Sequence, residues 1–518
     1  MPRLLRRLIP VLLWITPLFL AGPVQAEWRE ARTDRFVIYS EGSETDLRAR
    51  VIALHRFDRL IRAPFGLSDE APARPLPIIL VSGRDGMEAL YPDVPANIGG
   101  FYSSNEQDVY AVLNRRLDDK VLLHEYVHHV MRQNFPIALP AWFSEGVAEF
   151  YMTARINDRE TQVGFRDDGR VLTLNRLAWL PMDRLLTRRA LSGSREQMAA
   201  FYAQSWLLTH YLLSDPVRRQ GLEAYLKAVS EGVTPMDAVR SAMGTTPEAL
   251  ERTLRDYQRG TMPYGVYPTP PSDAVAMSIR TLPPSADAVF LLSIRLNYGQ
   301  RGTDGPQVLV RVREAAARWP GDRLANMTLA KAEFAWGTPE TTEAALNGVL
   351  AIDAADVEAL RWMARLRQRA AAQAQEAGDD AMRDLRNGEA RVFLARALAV
   401  DPNDYRIYLA LGRSRRWSAS YPNANDLATW SAAVELAPQV GAVRWEAAEA
   451  FSRAGQNETA IALLLPLAND PHGGTGAAQA RARLQALRPD GEASPEPEIP
   501  AAPETTDGPA VAPEPDAG

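Results

Sequence analysis

The run His124-Glu125-Tyr126-Val127-His128 places two imidazoles four residues apart, with a carboxylate directly after the first. On a helix that spacing projects both rings from one face, so both can reach a single ion. Glu125 then reaches a water held by that ion rather than the ion itself, the station of a general base in metal-assisted hydrolysis. The chain has six histidines, and three of them, His124, His128 and His129, fall in this one turn. His129 points about 100° away from His128 and is expected to pack rather than ligate. A hydrolytic zinc site built on two histidines needs a third protein ligand and one open position. Downstream, Glu145 and Glu149 stand four apart on one helical face. Sixteen residues separate His128 from Glu145, enough for a turn that returns a second helix against the first.

These side chains need two helices and a platform. Val121, Leu122, Val127, Val130 and Met131 give the first helix its apolar packing, with Asp118 as its cap and Pro136 as its stop. Pro140 suits the first turn of the second. Upstream, Phe36 to Tyr39 and Pro77 to Val81 read as strands, and Thr45 to Ile61 carries apolar residues at helical spacing. Gly99-Gly100-Phe101-Tyr102 precedes a further strand from Asp108 to Leu113, expected at the sheet edge above the cleft, where an extended substrate adds by backbone pairing. From about Asp118 to Gly260 the pattern is helical.

The HExxH run followed by Trp142-Phe143-Ser144-Glu145-Gly146-Val147-Ala148-Glu149 resembles the gluzincin metallopeptidases. It is most similar to the bacterial peptidase-MA-like family, whose second motif reads Pro-x-Trp-x-x-Glu-Gly-x-Ala. The resemblance covers roughly residues 27 to 260. It implies one zinc ion per chain held by His124, His128 and Glu145, with Glu149 behind them orienting His124. It also implies an α+β zincin-like catalytic domain. Gluzincins stabilise the oxyanion with a Tyr or His from a later helix, and Phe201 to Tyr211 contains a Tyr-x-Gln-Ser stretch like that of the related family. Tyr202 is the first candidate, and His210 and Tyr211 follow. The spacing before Glu145 is slightly shorter than in thermolysin. A Gly-Ala-Met-Glu-Asn motif of the exopeptidases is missing, which favours an endopeptidase.

The remaining chain sets the context. At 518 residues it is too long for one core. A net charge of −6 without a long basic run gives no footing for nucleic acid. Residues 1–26 read as a signal peptide, with Arg3, Arg6 and Arg7 before an apolar stretch and Val24-Gln25-Ala26 as the cleavage site. The expected destination is periplasmic or extracellular, with no membrane span after cleavage. The chain has no cysteine, so neither disulfides nor thiolate ligands are available. Residues 27–262 form the expected catalytic domain. Residues 270–487 are Ala-rich and helical, with weak repetition near 34 residues, and read as an all-α tetratricopeptide-like repeat domain able to bind a protein partner. From Pro489 the tail holds eight prolines and eight acids with no basic or aromatic residue, a composition that does not fold; the expected disordered segment is 488–518. His55 is expected to be structural, and His472, in a Pro-His-Gly-Gly turn, to face solvent.

The function expected is an exported zinc metallopeptidase that cleaves peptide or protein substrates, with Glu125 as general base. One alternative is an envelope adaptor using the repeats for protein binding, its zinc site non-catalytic. Others are a zinc hydrolase of a non-peptide bond and, if the signal is retained, an anchored scaffold.

Overall fold

The computed structural model describes residues 27–488, apart from 96–97, 118, 136, 188–192, 270, 272–274, 300–301 and 471. The signal segment, the acidic tail, the Asp118 cap and the Pro136 stop therefore lie outside the described residues. The chain is mostly helical, with a small N-terminal sheet and a C-terminal helical repeat region.

The sheet grows from three parallel strands. They are β2 (Phe36–Ser40), β3 (Leu76–Val81) and β5 (Val109–Asn114), with β3 in the middle. In β3, Ile78 and Leu80 enter one core while Ile79 and Val81 enter a second on the other face. A strand buried on both faces has no use for polar residues, which explains its unbroken apolar run. β1 (Arg29–Arg32) lies antiparallel to β2, and β4 (Gly100–Ser104) lies antiparallel to β5. The order is β4-β5-β3-β2-β1-β9, where β9 is Ser278–Thr281, so the edge strand on this side is β4. That corrects the expectation for Asp108 to Leu113. This segment pairs on both sides, with β3 and β4, because its hydrophobic run is buried on both faces. Gly100 permits the β4–β5 approach, since a Cβ there would meet the Val112 carbonyl oxygen at 3.0 Å.

One face of the sheet carries α1 (Glu44–Arg62) and α3 (Lys120–Asn134), and α2 (Gly83–Leu90) lies on the other. Asp58 on α1 is fully buried and ties this layer together. It accepts from Arg62 Nε at 2.7 Å and Tyr126 Oη at 2.9 Å, and pairs with Arg35 at 3.2 Å. Tyr126 lies between the two histidines in sequence, so this buried ion pair anchors the rear of the helix that carries them. The next elements are α4 (Ala141–Tyr151), β6 (Arg155–Ile156), β7 (Glu160–Val163), α5 (Asp168–Arg176), α6 (Met182–Thr187) and α7 (Arg195–Leu213). Then come α8 (Pro216–Ser230), α9 (Pro235–Met243), α10 (Pro247–Arg259), β8 (Gly265–Pro268) and β9 (Ser278–Thr281). The stretch from Asp118 to Gly260 is thus not wholly helical: β6 and β7 make a small second sheet with β8.

The helical region runs through α11 (Ala286–Asn297), α12 (Gly305–Arg318), α13 (Arg323–Trp336), α14 (Pro339–Ile352), α15 (Val357–Glu376) and α16 (Asp380–Val400). It continues with α17 (Tyr405–Arg415), α18 (Ala424–Leu436), α19 (Gly441–Arg453), α20 (Asn457–Ala468) and α21 (Gly474–Leu487). Each helix packs on its neighbour in sequence, the arrangement of a repeat solenoid. Both ends of this arc touch the N-terminal unit. β9, inside the stretch expected to be almost entirely helical, pairs with β1, and Phe290 of α11 packs on Trp28 and Tyr39. At the far end, α17 to α21 share one continuous core with α1, α3, α4 and α7. There Arg406 reaches Asp108 at 2.8 Å, the Tyr405 hydroxyl donates to the Asn105 carbonyl at 3.2 Å, and Arg413 pairs with Glu106. The β4–β5 turn is therefore clamped by α17. Among the described residues no helix is long and apolar enough to cross a membrane.

Candidate metal centre

His124 and His128 project from one face of α3, and Glu145 meets them from α4. The connecting residues fold the chain back as expected, and Pro140 precedes the first turn of α4. His124 Nε2 and His128 Nε2 lie 3.1 Å apart. Glu145 Oε2 stands 3.5 Å from the first and 3.4 Å from the second. Donor atoms about 2.0–2.1 Å from a tetrahedral zinc lie about 3.3 Å from one another, so these three atoms already outline one face of such a tetrahedron. Glu145 is fully buried, and Oε2 has no hydrogen-bond partner. An ionised oxygen buried without a donor is costly unless a cation faces it. The residues fit a divalent ion on both counts, and they form the group among the described residues able to converge on one.

These groups are also electrostatically coupled. Burial alone would raise the Glu145 carboxyl, but His128, His124 and His472 outweigh it and hold the group well below the usual carboxylate range. Burial lowers the His124 imidazole, yet the nearby carboxylates of Glu145, Glu149 and Glu125 lift it to about 9. At His128 burial prevails, and the ring falls to about 4. Glu125 is 4% exposed, and burial raises its carboxyl above the ordinary value against the pull of His124 and His472.

Around the cluster, Glu149 Oε1 lies 3.6 Å from His124 Nδ1, on the ring's far side, just beyond hydrogen-bond length. Arg170 of α5 grips this buried carboxylate with both arms, Nε to Oε2 at 2.6 Å and Nη2 to Oε1 at 2.7 Å. Ser144 Oγ stands 3.4 Å from His128 Nδ1. Tyr202, buried on α7, has its ring centroid 6.4 Å from that of His124, and the Arg170 guanidinium lies 5.7 Å over its face. Burial, then the charges of Glu145, Glu149 and Glu125, push its phenol well above the ordinary value. The two other oxyanion candidates do not join the cluster. His210 donates from Nε2 to the Gly164 carbonyl at 2.8 Å and engages the Tyr257 hydroxyl through Nδ1 at 2.9 Å. Tyr211 packs against Tyr257 and under Arg218. Gln204 of the Tyr-x-Gln-Ser stretch binds the backbone of Leu180 at both ends of its amide. His129 is buried beside the Tyr102 hydroxyl, 3.3 Å from Nδ1, and His55 is half-buried on α1.

His472 departs most from expectation. Instead of facing solvent, its side chain is 12% exposed and its Nε2 lies 3.0 Å from Glu145 Oε1. Its ring meets that of His128 edge-on, with centroids 5.9 Å apart. Sequence reasoning also passed over Arg170. Neither residue belongs to a local spacing pattern; the one available hint is that His472 is a histidine in a chain that has only six.

A cavity of about 1010 Å³ lies elsewhere. Leu60, Phe65, Phe143, Phe150, Leu222 and Tyr264 line it, and His124, Glu125, His128 and Glu145 do not.

No protein-family model matches the chain, and no curated protein matches it. Solved structures resemble it in part. A thermophilic TPR protein of Thermus thermophilus is 16% identical over 39% of this chain and 98% of its own, with a TM-score of 0.32. PilW, described as a widely conserved type IV pilus biogenesis factor, is 18% identical over 39% of this chain and 94% of its own, with a TM-score of 0.26. Likenesses of that size carry no argument about activity, so a functional reading has to stand on the geometry of the cluster.

Proposed function

We propose that this chain is a zinc-dependent hydrolase of the gluzincin kind that cleaves peptide bonds, with its catalytic domain zincin-like. The observation that carries the reading is the convergence of His124 Nε2, His128 Nε2 and the unpartnered Glu145 Oε2 at 3.1 to 3.5 Å from one another. When bound, zinc would polarise a carbonyl oxygen and lower the pKa of a water. Three protein donors leave a tetrahedral ion one position for such chemistry, where a purely structural site would take four. Glu125 follows His124 directly on α3, and burial raises its carboxyl, which makes it a better base. It removes a proton from the attacking water as the oxygen joins the carbonyl carbon, and returns that proton to the departing amine as the C–N bond breaks. Tyr202 is the candidate to donate to the carbonyl oxygen as negative charge builds there. Glu149, itself fixed by Arg170, keeps the His124 ring aimed. The peptide substrate rests on the resemblance to the peptidase-MA-like family.

A second reading has its own observation. His472, a fourth protein group, reaches the cluster from the repeat region, and the side chains of the three donors and Glu125 are all buried. This arrangement also suits an adaptor whose metal is structural and whose repeats bind a protein.

One experiment separates the two. The wild type and Glu125→Gln are compared for zinc content and for cleavage of a mixed peptide library. About one zinc in each, with cleavage only by the wild type, is the result expected of the hydrolase; removing zinc with a chelator should abolish that cleavage. Zinc in both with cleavage by neither favours the adaptor, and no zinc in the wild type removes the metal centre.

A further inference from the structure

The face of α3 that presents His124 and His128 continues to Arg132, four residues on. Arg132 Nη2 bonds Asp470 Oδ1 at 3.0 Å, in the turn between α20 and α21. The same carboxylate oxygen accepts the backbone N–H of His472 at 3.0 Å, which fixes the start of that turn. His472 Nε2 then lies 3.0 Å from Glu145 Oε1. An ionised carboxylate only accepts, so Nε2 is the donor. The two oxygens of Glu145 are thus divided: Oε1 belongs to His472, and Oε2 faces the two imidazoles without another partner.

We infer that His472 is a positioning residue of the metal centre, contributed by the last repeat hairpin to a site more than three hundred residues away in sequence. By engaging Oε1 it holds the Glu145 carboxylate in the rotamer that presents Oε2 to the ion, and it opposes a slide to two-oxygen coordination. Outer hydrogen bonds of this kind commonly set about 10–100-fold in metal affinity. The Arg132–Asp470 pair seats the turn, so the same α3 face carries two donors and the anchor of the group that orients the third. The helical region is on this account part of the metal centre rather than an appended module. The inference rests on the metal reading above, and the test separates the two.

The test uses the full mature chain and three variants: His472→Leu, His472→Gln and Asp470→Ala. Each is measured for zinc affinity by competition with a chromophoric chelator and for the visible spectrum of its cobalt(II) form. Metal-free thermal melts show that each variant folds. His472→Leu should bind zinc about 10–100-fold more weakly. His472→Gln, whose amide N–H reaches about as far as Nε2, should recover most of that loss with a wild-type cobalt spectrum. Asp470→Ala, which frees the turn and leaves the imidazole intact, should fall between them. Equal zinc affinity in wild type and His472→Leu overturns the positioning role and leaves the metal centre standing. Failure of His472→Gln to rescue, with an altered cobalt spectrum, overturns it in favour of direct ligation. A wild type that binds no zinc overturns both readings.

Discussion

Gly146 directly follows Glu145 and sits where α4 crosses α7. A Cβ at this position would lie 2.1 Å from Thr209 Oγ1 and 2.4 Å from the Ser205 carbonyl oxygen. Thr209 is fully buried and Ser205 O is helix backbone, so neither can step aside. Restoring ordinary contact requires α4 to retreat from α7 by about 1 Å, and overpacking of this kind costs about 1–3 kcal/mol, more where backbone is the obstacle. Alanine returns about 1 kcal/mol through its better helix propensity. With backbone as the obstacle the upper end, about 3 kcal/mol, applies, so Gly146→Ala should destabilise the protein by about 2 kcal/mol net. The same displacement moves Glu145 relative to His124 and His128, and zinc affinity should fall by about tenfold or more. Trp142 on α4 and Trp206 on α7 are both fully buried and report the crossing directly. Urea unfolding followed by tryptophan fluorescence, with a parallel zinc titration, reads both effects. Gly348 is the matched control: it is helical and exposed, with nothing near its virtual Cβ. Gly348→Ala should stabilise by about 0.5–1 kcal/mol. Wild-type stability and zinc affinity in Gly146→Ala would refute the close crossing and the argument that it places Glu145.

Arg170→Ala leaves the Glu149 carboxylate buried without its bidentate partner and should cost about 3–5 kcal/mol in urea unfolding; Arg170→Lys should recover only part, because one ammonium cannot span both oxygens. Tyr202→Phe should lower kcat by about 10²–10³ with zinc content unchanged if the hydroxyl stabilises the oxyanion, whereas an unchanged kcat would assign the ring a packing role. Burial lowers His129 to about 3. Above about pH 6.5 the ring is neutral in both folded and unfolded chains and has no effect on stability. As pH falls below that value the unfolded chain binds a proton that the folded chain refuses, and about 1.4 kcal/mol is lost per pH unit until the folded value is reached. His129→Leu should flatten that acid limb by one proton, whatever it does to stability at neutral pH, and an unaltered slope would show that His129 is not held neutral.

The parts of this protein legible in the sequence are those set by spacing along one element. Four residues place His124 and His128 on one face of α3, and the same rule put Glu145 and Glu149 together on α4, because a helix converts sequence separation into direction. The apolar run of β3 announced a strand, and the apolar spacing of α1 was recovered to within a residue at each end. The burial of Asp58 on α1 and its partners Arg35 and Tyr126 were not read from that spacing.

Tertiary structure decided what depends on two segments meeting. The edge strand is β4 rather than the segment after it, because pairing order is a property of the whole sheet and both segments have strand character. Gly146 looks like a weak point in a helix until α7 is laid across it at a distance that excludes a methyl group. Arg170 is one arginine among many until α5 delivers it to Glu149. His472 sits in a turn whose composition signals exposure, and only the closure of the helical arc carries it to Glu145, 327 residues away. Local periodicity holds no information about loop closure over such a length. The sequence by itself singled out His124, Glu125, His128 and Glu145, and the fold determined which groups surround them.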